Sequence, residues 1–166
     1  PSYYLTLVEL LMRSPDADAF MVVQDDVVLF RHPNLREYLE SVLWTHPEEG
    51  IVSLFCSRAY SSEDYGWHIM KERLQWGGQA LIFSRRTLIR LLADPMIVEH
   101  RLAADNAGLA NIDGLIGAWA EDTGTPVSNT SPSLSQHIGH ISSLWVHSRA
   151  FINRSAACFA GNAPLR

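Results

Sequence analysis

The chain has 166 residues, 47% of them hydrophobic and 19% charged, which places it with single globular domains and excludes a disordered tail. Thirteen basic against eighteen acidic side chains leave a net charge of −5, so the overall basic footprint of a nucleic-acid binder is absent and an acidic substrate needs a local counter-charge. Two cysteines, Cys56 and Cys158, are too few for a disulfide framework and lie in no zinc-ligand spacing; no apolar run approaches the roughly 20 residues that span a bilayer. The expectation is a soluble, cytoplasmic protein in a reducing compartment, with residues 1–166 forming one domain.

Residues 3–13 space Leu5, Val8, Leu11 and Met12 at three- and four-residue intervals, predicting an amphipathic helix that Ser14, Pro15 and Asp16 end. In AFMVVQDDVVLF the short apolar run 19–23 predicts a strand buried on both faces of a parallel sheet, and its apolar character stops at Gln24, Asp25 and Asp26. A second helix is expected from Pro33, Asn34 and Leu35, with Leu35, Leu39, Val42 and Leu43 on one face, ending near His46 and Pro47. IVSLFC, residues 51–56, reads as another strand, and residues 58–66 as a polar surface loop.

WGGQALIFS then supplies two glycines and a strand over 79–83, followed by a helix over 85–92 that Asp94 and Pro95 stop. Asn111, Ile112, Asp113 and Gly114 resemble a loop-to-helix start with Leu115, Ile116 and Trp119 on the buried stripe. Residues 123–133 read as turns, SLSQHIGHISSLW follows no single period, and the tail from His147 is weakly patterned. Alternating strands and helices predict an α/β domain with a mostly parallel sheet flanked by helices.

Four places carry residue types suited to chemistry. Asp25 and Asp26 emerge where a buried strand ends, the position at which ligands collect in open α/β sheets. Two adjacent carboxylates repel, and a divalent cation would relieve that repulsion and bridge to a diphosphate; the same aspartates also serve as ordinary turn formers. His137 and His140 can each offer an imidazole nitrogen to a cation held by carboxylates, or form a hydrogen-bonded surface pair. Asp113 suits an N-cap, and a rigidly held carboxylate there can also accept a proton from a hydroxyl. Trp76, Gly77, Gly78 and Gln79 set an aromatic ring beside glycines that let a ligand approach the backbone; they equally make a covered turn into the next strand. Tyr60, Tyr65 and Trp67 give the preceding loop an aromatic character suited to sugars.

The succession of QDD, WGGQALIFS, IDGLIGAW and PSLSQHIGHISSL resembles metal-dependent, GT-A type glycosyltransferases, in particular the N-acetylglucosaminyltransferase IV-like group and related bacterial sugar transferases. The resemblance covers residues 19–145 approximately. It implies that Asp26 and His137 hold Mn²⁺ or Mg²⁺, that Gln24 and Asp25 face the nucleotide-sugar donor, that Asp113 is the base, and that Trp76, Gly77, Gly78 and Gln79 line the acceptor side. Gln24 stands where members of the family commonly carry an acid, and would bond a ribose or a metal-bound water.

The implied reaction is transfer of a sugar from a nucleotide sugar to a hydroxyl acceptor with inversion at the anomeric carbon. A complete GT-A domain places several βα units ahead of the acidic signature, so the resemblance also implies that most of the nucleotide-binding half lies outside these residues. That leaves a second class open, a non-catalytic carbohydrate-binding or interaction module on a degenerate glycosyltransferase fold. A phosphohydrolase using Asp25 and Asp26 ranks last, because the nucleophile motif of that chemistry is missing.

Overall fold

The computed structural model describes residues 2–44, 50–57, 64–71, 73–74, 77–102, 112–139 and 155–162. Among the described residues the elements run α1 (Ser2–Arg13), β1 (Ala19–Val23), β2 (Val27–Leu29), α2 (Leu35–Val42), β3 (Ile51–Ser53), β4 (Gly66–Ile69), β5 (Ala80–Ser84), α3 (Arg85–Ala93), α4 (Pro95–Leu102), α5 (Ile112–Asp122), β6 (Val127–Ser131) and β7 (Ser135–His137). The α/β class stands. The sheet, however, is mixed rather than mostly parallel.

Five strands lie in the order β1-β5-β3-β6-β4, and only β3 with β6 is a parallel pair. Strands β1, β3 and β6 point one way; β5 is inserted antiparallel between β1 and β3, and β4 runs antiparallel to β6. Apolar runs report how deeply a strand is buried and carry no information on the direction of its neighbour, which is why a parallel sheet was the wrong inference. β1 itself differs from expectation. It is an outer strand of the sheet with Met21 exposed, while Phe20 and Val22 face the core.

Two apolar clusters cover the two faces. Leu81 and Phe83 of β5 point to the larger one, with Tyr4 and Leu7 of α1, Leu88 and Leu91 of α3, Ile97 of α4, and Ile116 and Trp119 of α5. Ala80 and Ile82 point the opposite way, towards Val52, Leu54 and Leu134, the β2–β7 ribbon and the partly buried Leu35, Leu39 and Leu43. The alternation follows from the two-residue period of a strand, and cover on both faces explains why all five residues of β5 are buried. In α1 the buried stripe is Tyr4 and Leu7, whereas Leu5 and Met12 are exposed, so the helical face is rotated from the one expected.

The antiparallel insertion of β5 places its start beside the end of β1, with Ala80 opposite Val23. The carboxyl ends of β1, β3 and β6 therefore gather at one end of the sheet, where residues 24–26, 54–57, 77–79 and 131–137 meet. Among the described residues no helix is long and apolar enough to cross a membrane.

Candidate functional site

Asp26 sits in the tight turn that joins β1 to β2. β2 pairs antiparallel with β7 and sets Val27 opposite His137, and the Ile138 amide donates to the Asp26 carbonyl at 2.8 Å. This register brings together two side chains 111 residues apart: His137 Nε2 lies 2.8 Å from Asp26 Oδ2. The imidazole is buried, the side chain being 5% exposed. Asp26 is 40% exposed as a side chain, yet its Oδ1 is turned inward and meets no hydrogen-bond partner. Gly139 closes over the pair, since a Cβ there would stand 2.7 Å from Asp26 Oδ2 and 2.9 Å from His137 Cε1. Gln24 and Asp25 are exposed on the same turn.

Gln24 links this turn to the other half of the site, its amide donating to the Gln79 carbonyl at 2.8 Å. Gly77, Gly78 and Gln79 are buried, and Gly78 packs so closely on Asp113 that an added Cβ would lie 3.0 Å from the aspartate Cβ. Asp113 is in the first turn of α5. Burial raises its carboxyl above the usual carboxylate value; the amides of Asp113 itself, Gly114, Gly77 and Gly78 hydrogen-bond it and pull in the opposite direction. The Arg73 guanidinium donates to the Gly114 carbonyl at 3.0 Å and places a cation next to this helix start.

The expected residues thus form one connected run: His137 on Asp26, Asp26 two residues from Gln24, Gln24 on Gln79, and Gly78 on Asp113. Trp76, His140 and Tyr60 lie outside the described residues. Asp26 and His137 can offer an oxygen and a nitrogen to one cation; among the described residues no group of three or more His, Cys, Asp and Glu is placed to do so. The orphaned Asp26 Oδ1 beside the imidazole fits a hard cation that completes its shell with substrate phosphate and water.

Two contributors, Ser135 and Tyr3, escaped the sequence reading. Ser135 shares the His137 face of β7, is fully buried, and its Oγ has no partner, as is also true of Oε1 of the expected Gln79. Tyr3 of α1 has a buried, unpartnered hydroxyl, and its phenol is raised by burial first and by the Asp113 charge second. No local pattern announces Ser135 or Tyr3, because each acquires its neighbour through packing of distant segments. Neither the comparison with protein-family profiles nor that with curated proteins returns a match for this chain.

Proposed function

We propose that these residues form the metal and acceptor side of a glycosyltransferase site that moves a sugar from a nucleotide sugar to a hydroxyl. The observation that carries the reading is the 2.8 Å contact between Asp26 and His137 beside the unpartnered Asp26 Oδ1. A buried carboxylate oxygen without a partner is costly, and a cation that takes both side chains removes that cost. Asp26 and His137 would hold Mn²⁺ or Mg²⁺, whose chemistry there is to offset the charge that develops on the departing diphosphate. His137 must surrender its Nε2 proton to serve as such a ligand.

Asp113 would accept the proton of the acceptor hydroxyl as its oxygen bonds the anomeric carbon and the bond from that carbon to the diphosphate breaks. Burial suits this role, because a carboxylate raised above its ordinary value is a stronger base. Gly78 packs against the aspartate, and Gln24 and Asp25, exposed on the adjoining turn, would face the donor nucleotide. On the outer surface Tyr38 and Trp67 stack with ring centroids 6.4 Å apart and Trp67 Nε1 donating to the Tyr38 hydroxyl, an aromatic surface of the kind that packs on the C–H faces of sugars.

The alternative, a sugar-binding module without catalysis, is favoured by one observation: backbone amides from two segments converge on Asp113, as expected of a clamp. Isothermal titration with Mn²⁺ and a panel of nucleoside diphosphates separates the two readings. The expected result is metal-dependent nucleotide binding that Asp26→Ala abolishes. Sugar binding with no metal-dependent nucleotide binding in either protein would overturn the enzyme reading in favour of the module.

A further inference from the structure

Residues 155–162 contribute nothing to the candidate site, yet they are stitched to the strand ends that do. The Ala156 amide donates to the Gln136 side-chain oxygen at 2.8 Å, the Ala157 amide to the Cys56 carbonyl at 3.0 Å, and the Ala160 amide to the Ser133 carbonyl at 2.9 Å. In return the Ser133 amide donates to the Cys158 carbonyl at 2.7 Å, and Ser133 bridges Phe159 in a short parallel pairing. Cys56 meets the same serine, its amide donating to Ser133 Oγ at 3.1 Å. Cys56 is therefore bonded directly to the residue before Cys158, and both cysteines are bonded to Ser133.

The two thiols differ in ways that assign them different parts. Cys158 is exposed; Cys56 is buried, with Asn129 Nδ2 donating to its sulfur at 3.2 Å. Burial pushes the Cys56 thiol up, the Asn129 bond lowers it, and Cys158 is close enough for its charge to raise it further. A disulfide needs Cα atoms about 4.4–6.8 Å apart, and the backbone bond from Ala157 to Cys56 sets the neighbour of Cys158 directly against Cys56.

We propose that Cys56 and Cys158 are a redox-sensitive pair that closes into an intramolecular disulfide when the protein meets a low-molecular-weight disulfide, tying residues 155–162 to the end of β3. The exposed Cys158 thiolate attacks one sulfur of the small disulfide, whose S–S bond breaks to release a thiolate that takes up a proton. The Cys56 thiolate then attacks the Cys158 sulfur of the mixed disulfide, and the second small thiol leaves. Two protein thiols are oxidised and one small disulfide is reduced to two thiols. The buried Cys56 is shielded from the first step and placed for the second, the division of labour found in transient disulfides of reducing compartments. The inference does not depend on sugar transfer.

Treatment of the protein with glutathione disulfide, followed by intact mass measurement and peptide mapping without reductant, tests it. The expected product has lost two hydrogens, carries no adduct, contains a peptide linked through Cys56 and Cys158, and reverts with dithiothreitol. Cys56→Ser is expected to trap one glutathione on Cys158, and Cys158→Ser to leave Cys56 unmodified. Closing a long loop is expected to raise the melting temperature of the oxidised form by about 5 °C or more. A lasting glutathione adduct on Cys158 of the unsubstituted protein, a dimer linked through Cys158, or no reaction at all would each overturn the proposal, whatever the folding of the variants.

Discussion

Asp113 is where burial and hydrogen bonding compete most directly. Burial wins, so the folded protein keeps the Asp113 proton to higher pH than the unfolded chain, whose carboxyl titrates near 3.8. Stability from this group is accordingly full below that value and lost as pH rises through the raised folded one. For a base the same shift has the opposite use, and turnover is expected to rise with pH over that window as the carboxylate forms. Asp113→Asn keeps the shape and removes the charge. It is expected to lower turnover by about 10²–10⁴-fold, to abolish the acid limb of the pH–rate profile in whatever activity remains, and to leave nucleotide affinity unchanged. A purely structural clamp would show a parallel loss of nucleotide affinity and melting temperature, with the acid limb retained. Asp26, Asp113 and His137 were legible because their residue types are chemically distinctive and abut apolar runs that place them at element ends. Ser135 and Tyr3 were not, because a buried hydroxyl without a partner is defined by what lies across the fold from it.

At the scale of the element, the reading succeeded where apolar periodicity and caps coincide. α3 begins at Arg85 as expected, with Ser84 Oγ accepting from the Thr87 amide at 3.1 Å, and β1 and β5 lie within one residue of the runs that predict them. It failed where polar sequence is buried. Residues 123–133 read as turns, but β6 occupies Val127–Ser131, and Asn129, Thr130 and Ser131 are buried because β3 and β4 pair with it on both sides. α4 was missed for a different reason: Asp94 and Pro95 read as a stop, whereas proline is also well suited to the first position of a new helix. Asp94 makes both events possible. Its Oδ1 accepts from the Met96 amide at 2.9 Å, and its Oδ2 accepts from Trp119 Nε1 at 3.0 Å, tying the α3–α4 junction to α5. Asp94→Ala removes a cap and orphans a donor on a buried indole, so urea unfolding is expected to show a loss of about 1–3 kcal/mol. Asp94→Asn, which keeps an acceptor for the cap, is expected to recover part of that loss. Equal stability of all three proteins would show that neither bond contributes.

For the molecule as a whole, the candidate site spans two bodies of unequal expected rigidity. Gln24 and Gln79 belong to the end of the five-stranded sheet, and Gly78 anchors Asp113 there; His137 belongs to a separate ribbon of two three-residue strands, and Asp26 to the turn that leads into it. β5 is flanked by strands on both sides and covered on both faces, so its amides should open only in global unfolding, whereas the ribbon has little of its own to hold it. Hydrogen exchange is expected to give residues 81–83 the highest protection in the chain, with residues 27–29 and 135–138 lower by about 2 kcal/mol or more. A ligand that takes Asp26 and His137 together would close that gap, because it stabilises only conformations in which the ribbon is formed. Addition of Mn²⁺ with a nucleoside diphosphate is therefore expected to slow exchange at the Ile138 amide, which donates to the Asp26 carbonyl, while β4 at the far edge of the sheet is unchanged. Slowing spread evenly over β4 and the ribbon would mean that the ligand acts on the fold rather than on this pair. No slowing at Ile138 under saturating nucleotide would place the nucleotide elsewhere.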